Sequence, residues 1–254
     1  MQYRDWPVLV TGAGGSIGSA LTARLLDLGA RVTGLARSEE SLIRIPEGAH
    51  RVLGSITERA TLAHAMTGVD TVFHCAAHKH VGICEANPTE AYYNNVFGMM
   101  QTLNSARAAG VQQFVLLSTD KAYKPTSVYG RTKRECEELM FHAEFANPKI
   151  VRLCNVLGSS GSVIPLWKKQ MMAGGPVLVT SDEATRYFIT MPVAVDFLIT
   201  SLDLHGIGPH IPHGIEPTRI IDLAHATIGS RLIDIEITGL RPGEKLHETL
   251  TDEL

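Results

Sequence analysis

Short apolar runs alternate along the first part of the chain with longer stretches in which apolar residues return at every third or fourth place. The short runs predict strands over Trp6–Thr11, Arg31–Leu35, Thr71–Cys75, Gln113–Leu117 and Ile150–Cys154, and the longer ones predict helices over Ser16–Leu28, Thr57–Met66, Thr89–Ala109 and Ser127–Phe145. Strand-then-helix order points to right-handed βαβ units and a parallel sheet covered on both faces. Gly29 and Gly110 fall just past helical stretches, where a left-handed cap wants glycine, and Pro88 suits a first helical turn. After Cys154 the alternation breaks into Gly158–Ser162, Gly174-Gly175-Pro176 and short elements between them. The expected organisation is a core over residues 1–154. Residues 155–254 then form mainly a small substrate-binding lobe, with some elements returning to the core.

With 254 residues, 44% of them hydrophobic and 19% charged, the chain can bury a sizeable core. A net charge of -3 gives no long-range attraction to nucleic acid, and Arg131–Arg134 and Lys168-Lys169 are too short for a polyanion footprint. Cys75, Cys84, Cys136 and Cys154 form no Cys-x-x-Cys pair, which reads as reduced thiols in a cytoplasmic protein. The start, Met1 to Trp6, carries no leader pattern, and no apolar stretch reaches membrane-spanning length, so no membrane association is expected. His74, His78 and His80 alternate without a carboxylate or cysteine at ligand spacing, so no metal is expected.

Val8–Gly18 reads as a strand, a glycine turn and a helix start, with Gly12, Gly15 and Gly18 in Gly-x-x-Gly-x-x-Gly spacing. That spacing allows a tight turn, close backbone approach to a pyrophosphate and helix–strand packing, so Gly12, Gly15, Ser16, Ile17 and Gly18 are candidate dinucleotide contacts in a doubly wound Rossmann α/β fold. NAD-preferring sites commonly carry an acid at the end of the second strand; here the sequence is Leu35-Ala36-Arg37-Ser38. Arg37 and Ser38 can hold a 2'-phosphate, which favours NADP, the alternative being that Arg37 is a solvated surface charge.

Ser118-Thr119-Asp120-Lys121 closes the strand before the helix that carries Tyr129 and Lys133. Tyr129 and Lys133 share a helix face, and a neighbouring ammonium with an oxidised nicotinamide would lower the phenol pKa. Tyr129, assisted by Thr119, could then take the proton of a sugar hydroxyl as hydride leaves the same carbon. Asp120 and Lys121 add an acid and a base that plain alcohol oxidation does not need. Once a ketone stands at C4, Lys121 could remove the C5 proton and Asp120 protonate the departing 6-hydroxyl, provided burial depresses the lysine pKa and keeps the acid protonated. Hydride return to C6 would leave NADP tightly bound and recycled. The bland alternatives are a helix-surface Tyr/Lys pair and an Asp120–Lys121 pair satisfied only by each other.

These segments resemble the extended short-chain dehydrogenase/reductases of the polysaccharide-biosynthesis type, the UDP-N-acetylglucosamine 4,6-dehydratases, including those that invert C5. The resemblance also runs through Phe73–Val81, Asn87–Ala91, Asn95–Gly98, Tyr129–Arg134, Val151–Pro165, Thr185–Phe188 and Gly239–Leu246. It implies catalytic places for Thr119, Asp120, Lys121, Tyr129 and Lys133, cofactor contacts at Ala76, Tyr129 and Lys133, and a nucleotide-sugar site at Lys79, His80, Asn155, Ser162, Arg186, Arg241 and Glu244. Arg186 and Arg241 are suited to diphosphate oxygens and Glu244 to ribose hydroxyls. It further implies a UDP-sugar substrate and a homo-oligomer built on the helices Thr89–Ala109 and Ser127–Phe145. Ser55, Cys75 and Gly82 depart from the pattern, where an adenine-binding aspartate, an alanine and a proline are usual, which implies weaker cofactor binding. The end at Thr251–Leu254, where relatives continue, implies that part of the usual lid or subunit contact is missing and that the sugar differs. The alternative activities are UDP-sugar 4-epimerisation or another nucleotide-sugar oxidoreduction, which need neither Asp120 nor Lys121, and an idle NADP-binding regulator.

Overall fold

The computed structural model describes residues 3–250; Met1 and Gln2, with the expectation drawn from the start, and Thr251–Leu254, with the expectation drawn from the end, lie outside them. In chain order the elements are β1 (Pro7–Thr11), α1 (Ser16–Asp27), β2 (Arg31–Ala36), α2 (Glu39–Ile43), β3 (His50–Leu53), α3 (Arg59–Ala65), β4 (Thr71–His74), α4 (Val81–Ala86) and α5 (Pro88–Tyr92). A π-helical turn (Tyr93–Phe97) leads into α6 (Gly98–Ala108), followed by β5 (Gln113–Thr119), a 3-10 turn (Asp120–Ala122), α7 (Val128–Phe141) and β6 (Asn147–Leu153). Beyond these come β7 (Asn155–Val156), α8 (Val163–Met172), β8 (Val177–Val179), β9 (Thr185–Ile189), α9 (Met191–Thr200), β10 (Pro217–Arg219), α10 (Ile220–Ile228) and β11 (Ile235–Ile237).

The main sheet has six parallel strands in the order β3-β2-β1-β4-β5-β6. The chain winds outward from β1 in one direction and from β4 in the other, which makes the gap beyond their carboxyl ends a topological switch point, where open α/β sheets bind ligands. This is the Rossmann-like parallel sheet that the alternating pattern predicts. Strand side chains alternate between faces. Val8, Val10, Phe73, Val115 and Val151 enter a core with Leu21 and Leu25 of α1 and Ala194 and Leu198 of α9. Leu9, Val72, Phe114, Leu116 and Ile150 enter the opposite core with Leu62 of α3, Met99 of α6 and Met140 of α7. Two small sheets, β10-β9-β7 and β11-β8, pack with α8 and α10 around Trp167, Val177 and Ile228.

Three departures from the sequence pattern bear on the site. The strand β3 and the short α2 were not anticipated: β3 is an edge strand that buries only Val52, so it has no alternation to read, and α2 is a single turn started by Ser38, whose Oγ accepts from Ser41 N at 3.3 Å. The helix read over Thr89–Ala109 is broken by the π turn, which lets the buried Asn94 and Asn95 face inward. Asn95 Oδ1 accepts from His78 N at 2.7 Å, and its Nδ2 donates to His78 O at 2.9 Å and Thr132 Oγ1 at 3.0 Å, tying the loop after β4 to α7. The helix read to Phe145 stops at Phe141, and β6 begins at Asn147 on the sheet edge, where Pro148 is tolerated. Among the described residues no helix is long and apolar enough to cross a membrane.

Candidate active site

A cavity of about 860 Å³ opens over the carboxyl ends of β1, β4 and β5 and reaches into the lobe built on β9. Every candidate cofactor, catalytic and sugar-site residue named from the sequence lines it.

At one end β1 turns through Gly12, whose φ of 67° and would-be Cβ, 2.8 Å from Ala76 Cα, exclude any side chain. A Cβ on Gly18 would lie 2.2 Å from the Gly12 carbonyl, so α1 is pressed against the turn. Gly14, which the triplet spacing does not single out, is tighter still: a Cβ there would lie 2.0 Å from Ser41 O of α2. Gly15 caps α1 without a side-chain bond, and the first turn holds no acid. The free N–H groups and the positive end of α1 therefore fit a diphosphate-bearing dinucleotide. Ser16 Oγ accepts from Ser160 N at 2.8 Å, and Ile17 follows it on α1. Arg37 donates to Asn94 Oδ1 at 3.3 Å and meets His78 Nε2 at 3.2 Å, with Glu90 of α5 4.0 Å away, an acid that sequence reasoning missed. Ser38 Oγ donates to Ser41 Oγ at 3.0 Å while capping α2.

In the centre, β5 ends on Thr119, whose Oγ1 donates to Asp120 Oδ1 at 2.8 Å. Lys121 Nζ donates to the same oxygen at 3.0 Å, and Asp120 Oδ2 is buried with no hydrogen-bond partner among the described residues. Asp120 and Lys121 thus pair with each other and still line the cavity. Ser127 caps α7, accepting from Gly130 N at 3.0 Å, which sets Tyr129 in the first turn beside Thr119. Gly130 lets α7 lie on the 3-10 turn, since a Cβ there would stand 2.3 Å from Lys121 O. Beneath, Glu137 accepts from Ser118 Oγ at 2.5 Å and from Arg152 at 2.8 and 2.6 Å, a buried brace between α7, β5 and β6.

The charges differ from the sequence expectation. Lys121 was expected to be depressed by partial burial together with a positive nicotinamide; in the protein alone burial and Arg186 lower it, but Asp120 and Glu248, 3.0 and 3.5 Å from its ammonium, outweigh them and raise it. Tyr129 was expected to fall under Lys133 together with an oxidised nicotinamide; in the protein alone burial pushes its phenol up to about 12, opposed by Lys121 and Thr119. Burial lowers Lys133, whose charge acts on His74 and Cys75. Cys75 lines the cavity with its thiol pushed up to about 12 by burial.

At the sugar end Lys79 Nζ donates to Ser160 O at 2.7 Å, and the His80 ring lies over Gly161, within 2.1 Å of a would-be Cβ. Asn155 Nδ2 donates to Tyr187 O at 3.1 Å. Ser162 Oγ is buried without a hydrogen-bond partner among the described residues, an unmet polar group that suits a polar ligand. Arg186 departs from its expected freedom to bind diphosphate: both terminal nitrogens are committed, to Thr185 O and Leu246 O at 2.8 and 2.9 Å, and to Glu244 Oε1 and Lys245 O at 3.1 and 2.8 Å. Glu244 also accepts from Thr180 Oγ1 at 3.1 Å and Arg241 N at 3.2 Å, and the exposed Arg241 lines the cavity rim. Sequence reasoning also missed Glu248, which reaches Lys121 from the chain's far end, a pairing that no local spacing announces.

The polysaccharide biosynthesis protein family matches residues 8–254. The chain is 38% identical to the capsular polysaccharide biosynthesis protein CapD of Staphylococcus aureus over 97% of its length, but spans only 45% of that relative. It is 34% identical to a UDP-N-acetylglucosamine 4,6-dehydratase (inverting) of Campylobacter jejuni, covering 96% of this chain and 76% of the relative. A UDP-glucose 4-epimerase of Rickettsia conorii is 31% identical, with 98% and 78% covered. Among solved structures, the X-ray structure of Pen from Bacillus thuringiensis superposes with a TM-score of 0.93 at 32% identity, covering 98% of this chain and 83% of that one.

Proposed function

The chain belongs to the polysaccharide biosynthesis protein family, and from that premise we propose that it is an NADP-dependent nucleotide-sugar 4,6-dehydratase acting on a UDP-sugar, UDP-N-acetylglucosamine foremost. The observation that carries the reading is the shared cavity: Asp120 and Lys121 stand beside Thr119 and Tyr129 on the same wall that the glycine turn and α1 close. A Campylobacter jejuni relative named for that reaction supports the substrate.

Gly12, Gly15, Ser16, Ile17 and Gly18 would hold the cofactor diphosphate, Arg37 and Ser38 its 2'-phosphate, and Ala76, Tyr129 and Lys133 its nicotinamide end. When bound, NADP would carry hydride from C4 of the sugar to C6, and its cationic ring would favour the Tyr129 phenolate. Tyr129 accepts the proton of the C4 hydroxyl, oriented by Thr119. Lys121 takes the C5 proton, which the C4 ketone has acidified, and Asp120 protonates the 6-hydroxyl as it leaves as water. Arg241 and Glu244 serve the UDP moiety, with Arg186 holding their loop; Lys79, His80, Asn155 and Ser162 serve the sugar and its phosphates. Residues 1–154 act as the cofactor core and 155–254 mainly as the substrate lobe. Two copies pair through α6 and α7.

Incubation with UDP-N-acetylglucosamine in deuterated water tests the reading: mass spectrometry and NMR should find a 4-keto-6-deoxy sugar carrying deuterium at C5. A second reading, 4-epimerisation, has the Rickettsia conorii relative in its favour. It predicts a product that keeps its 6-hydroxyl, an outcome that rejects dehydration.

A further inference from the structure

A base that is held as an ammonium cannot take a proton until it has given one away. Lys121 is in that position. Its ammonium is 3.0 Å from Asp120 Oδ1, but that oxygen already accepts from Thr119 Oγ1, and Asp120 is the group that must keep its own proton for the departing hydroxyl. Among the described residues the other carboxylate in contact is Glu248, whose Oε1 lies 3.5 Å from Lys121 Nζ. Its side chain is 3% exposed and lines the same cavity. Glu248 Oε2 is buried, lies 3.5 Å from Lys245 Nζ, and makes no hydrogen bond among the described residues. That oxygen leaves the carboxylate with an acceptor site that no donor hydrogen fills, open to a proton passed from Lys121. Lys245 also donates to Tyr123 O at 2.7 Å, so its ammonium is shared between that carbonyl and Glu248.

We propose that Glu248 is the positioning residue of the dehydration base, storing the proton that Lys121 must release before it takes the one from C5. The proposal rests on the dehydratase reading above. In the resting pair Lys121 is an ammonium and Glu248 a carboxylate. A proton passes from Nζ to the carboxylate, leaving a neutral amine and a carboxylic acid. The amine takes the C5 proton, and the electron pair left on carbon expels the 6-hydroxyl, which leaves as water with the proton of Asp120. Once hydride has reached C6, the Lys121 ammonium returns a proton to C5, and the Glu248 proton passes back to the amine. Asp120 is recharged from Tyr129 through Thr119, whose Oγ1 donates to Asp120 Oδ1 at 2.8 Å, with the proton first taken from the C4 hydroxyl. No net proton is drawn from solvent, with which the Lys121 ammonium hydrogens exchange between turnovers, and the groups that face Lys121 are Asp120 on its own turn, Glu248, Arg186 from β9, Tyr129 from α7 and Cys154 after β6.

The Lys121–Glu248 pair carries one proton between them whether it sits on nitrogen or on oxygen, so the transfer draws none from solvent. For the wild type, deuterium incorporation at C5 should therefore vary little between about pH 7 and about pH 9. Glu248→Gln keeps the size and removes the store, so Lys121 must then lose its proton to solvent. C5 exchange should fall about a hundredfold near neutral pH and recover tenfold per pH unit, while the reduced nicotinamide formed in a single turnover is unchanged. Glu248→Asp, which keeps the acid, should retain the flat profile at a lower rate and serves if the glutamine variant does not fold. A Glu248→Gln protein that exchanges C5 at the wild-type rate or faster overturns the proposal, as does one that loses cofactor reduction and exchange together. A wild type that dehydrates no UDP-sugar overturns the dehydratase reading instead.

Discussion

His74, at the end of β4, is enclosed on every side: it shares a hydrogen bond of 3.1 Å with Thr11 Oγ1, stacks on Phe114, and feels the Lys133 ammonium. Burial first and Lys133 second lower its pKa from 6.5 to about 3, so folding keeps the ring neutral. A folded value below the unfolded one gives stability that is whole above pH 6.5 and drains away as pH falls toward 3. By about pH 4 the loss is on the order of 3 kcal/mol. Urea unfolding across this range should show the wild type losing stability that a His74→Gln variant, less stable at neutral pH, does not lose; parallel pH slopes would refute the assignment. His74 shows what a sequence conceals at this scale. Thr119, Asp120 and Lys121 are legible as a site because they are adjacent at a strand end, and Tyr129 and Lys133 because four residues make one helical turn. The sign of each pKa was not legible, because it depends on groups brought from elsewhere in the chain: Glu248, with Asp120, against Lys121, and the enclosure that buries the Tyr129 phenol.

Helices α1, α6 and α7 were readable because each buries one face against the sheet, and period is what a sequence displays. Period cannot display the π turn at Tyr93–Phe97, whose cause is a pair of buried amides bonding to Arg37 and the His78 backbone. Nor does it display which glycine separates two elements. Gly130 does so at the centre of the site, and Gly130→Ala would drive a methyl group to within 2.3 Å of Lys121 O. The backbone must give, at a cost of about 1–3 kcal/mol, and α7 moves Tyr129 away from Thr119. Thermal melts should show that loss with turnover reduced more than nucleotide-sugar affinity. Gly82 in α4 is the matched control: exposed, helical, and with nothing within 4 Å of its would-be Cβ. Gly82→Ala should instead gain about 0.5–1 kcal/mol. A Gly130→Ala protein as stable and active as Gly82→Ala would show that the close approach is not what sets the site.

On the scale of the molecule, the two halves of the sequence meet at the cavity because the main sheet presents its carboxyl edge there and the lobe returns across it. Ser160 donates to Ser16 at the helix start and accepts from Lys79, so one loop after β7 spans the candidate cofactor and sugar ends. If two copies pair as proposed, the exposed apolar residues of α6, α7 and the turn before α6 are what the contact would cover. Tyr93, 51% exposed, stacks on Phe97 at 5.1 Å; Met100 one turn on is 42% exposed, and Phe141 of α7 is 41% exposed. An apolar group of this kind on the long helices gains by being covered, because each large side chain removed from water contributes about 1.5–3 kcal/mol. Paired copies would bury these residues twice over in a symmetric contact. Sedimentation equilibrium of the purified protein should give a mass at least double that of one chain, and Met100→Glu, placing a charge in the seam, should shift it toward the single chain while UDP-sugar binding persists. A wild-type protein that sediments as one chain at micromolar concentration would rule out pairing through α6 and α7. A double-mass species untouched by Met100→Glu would move the contact to another face.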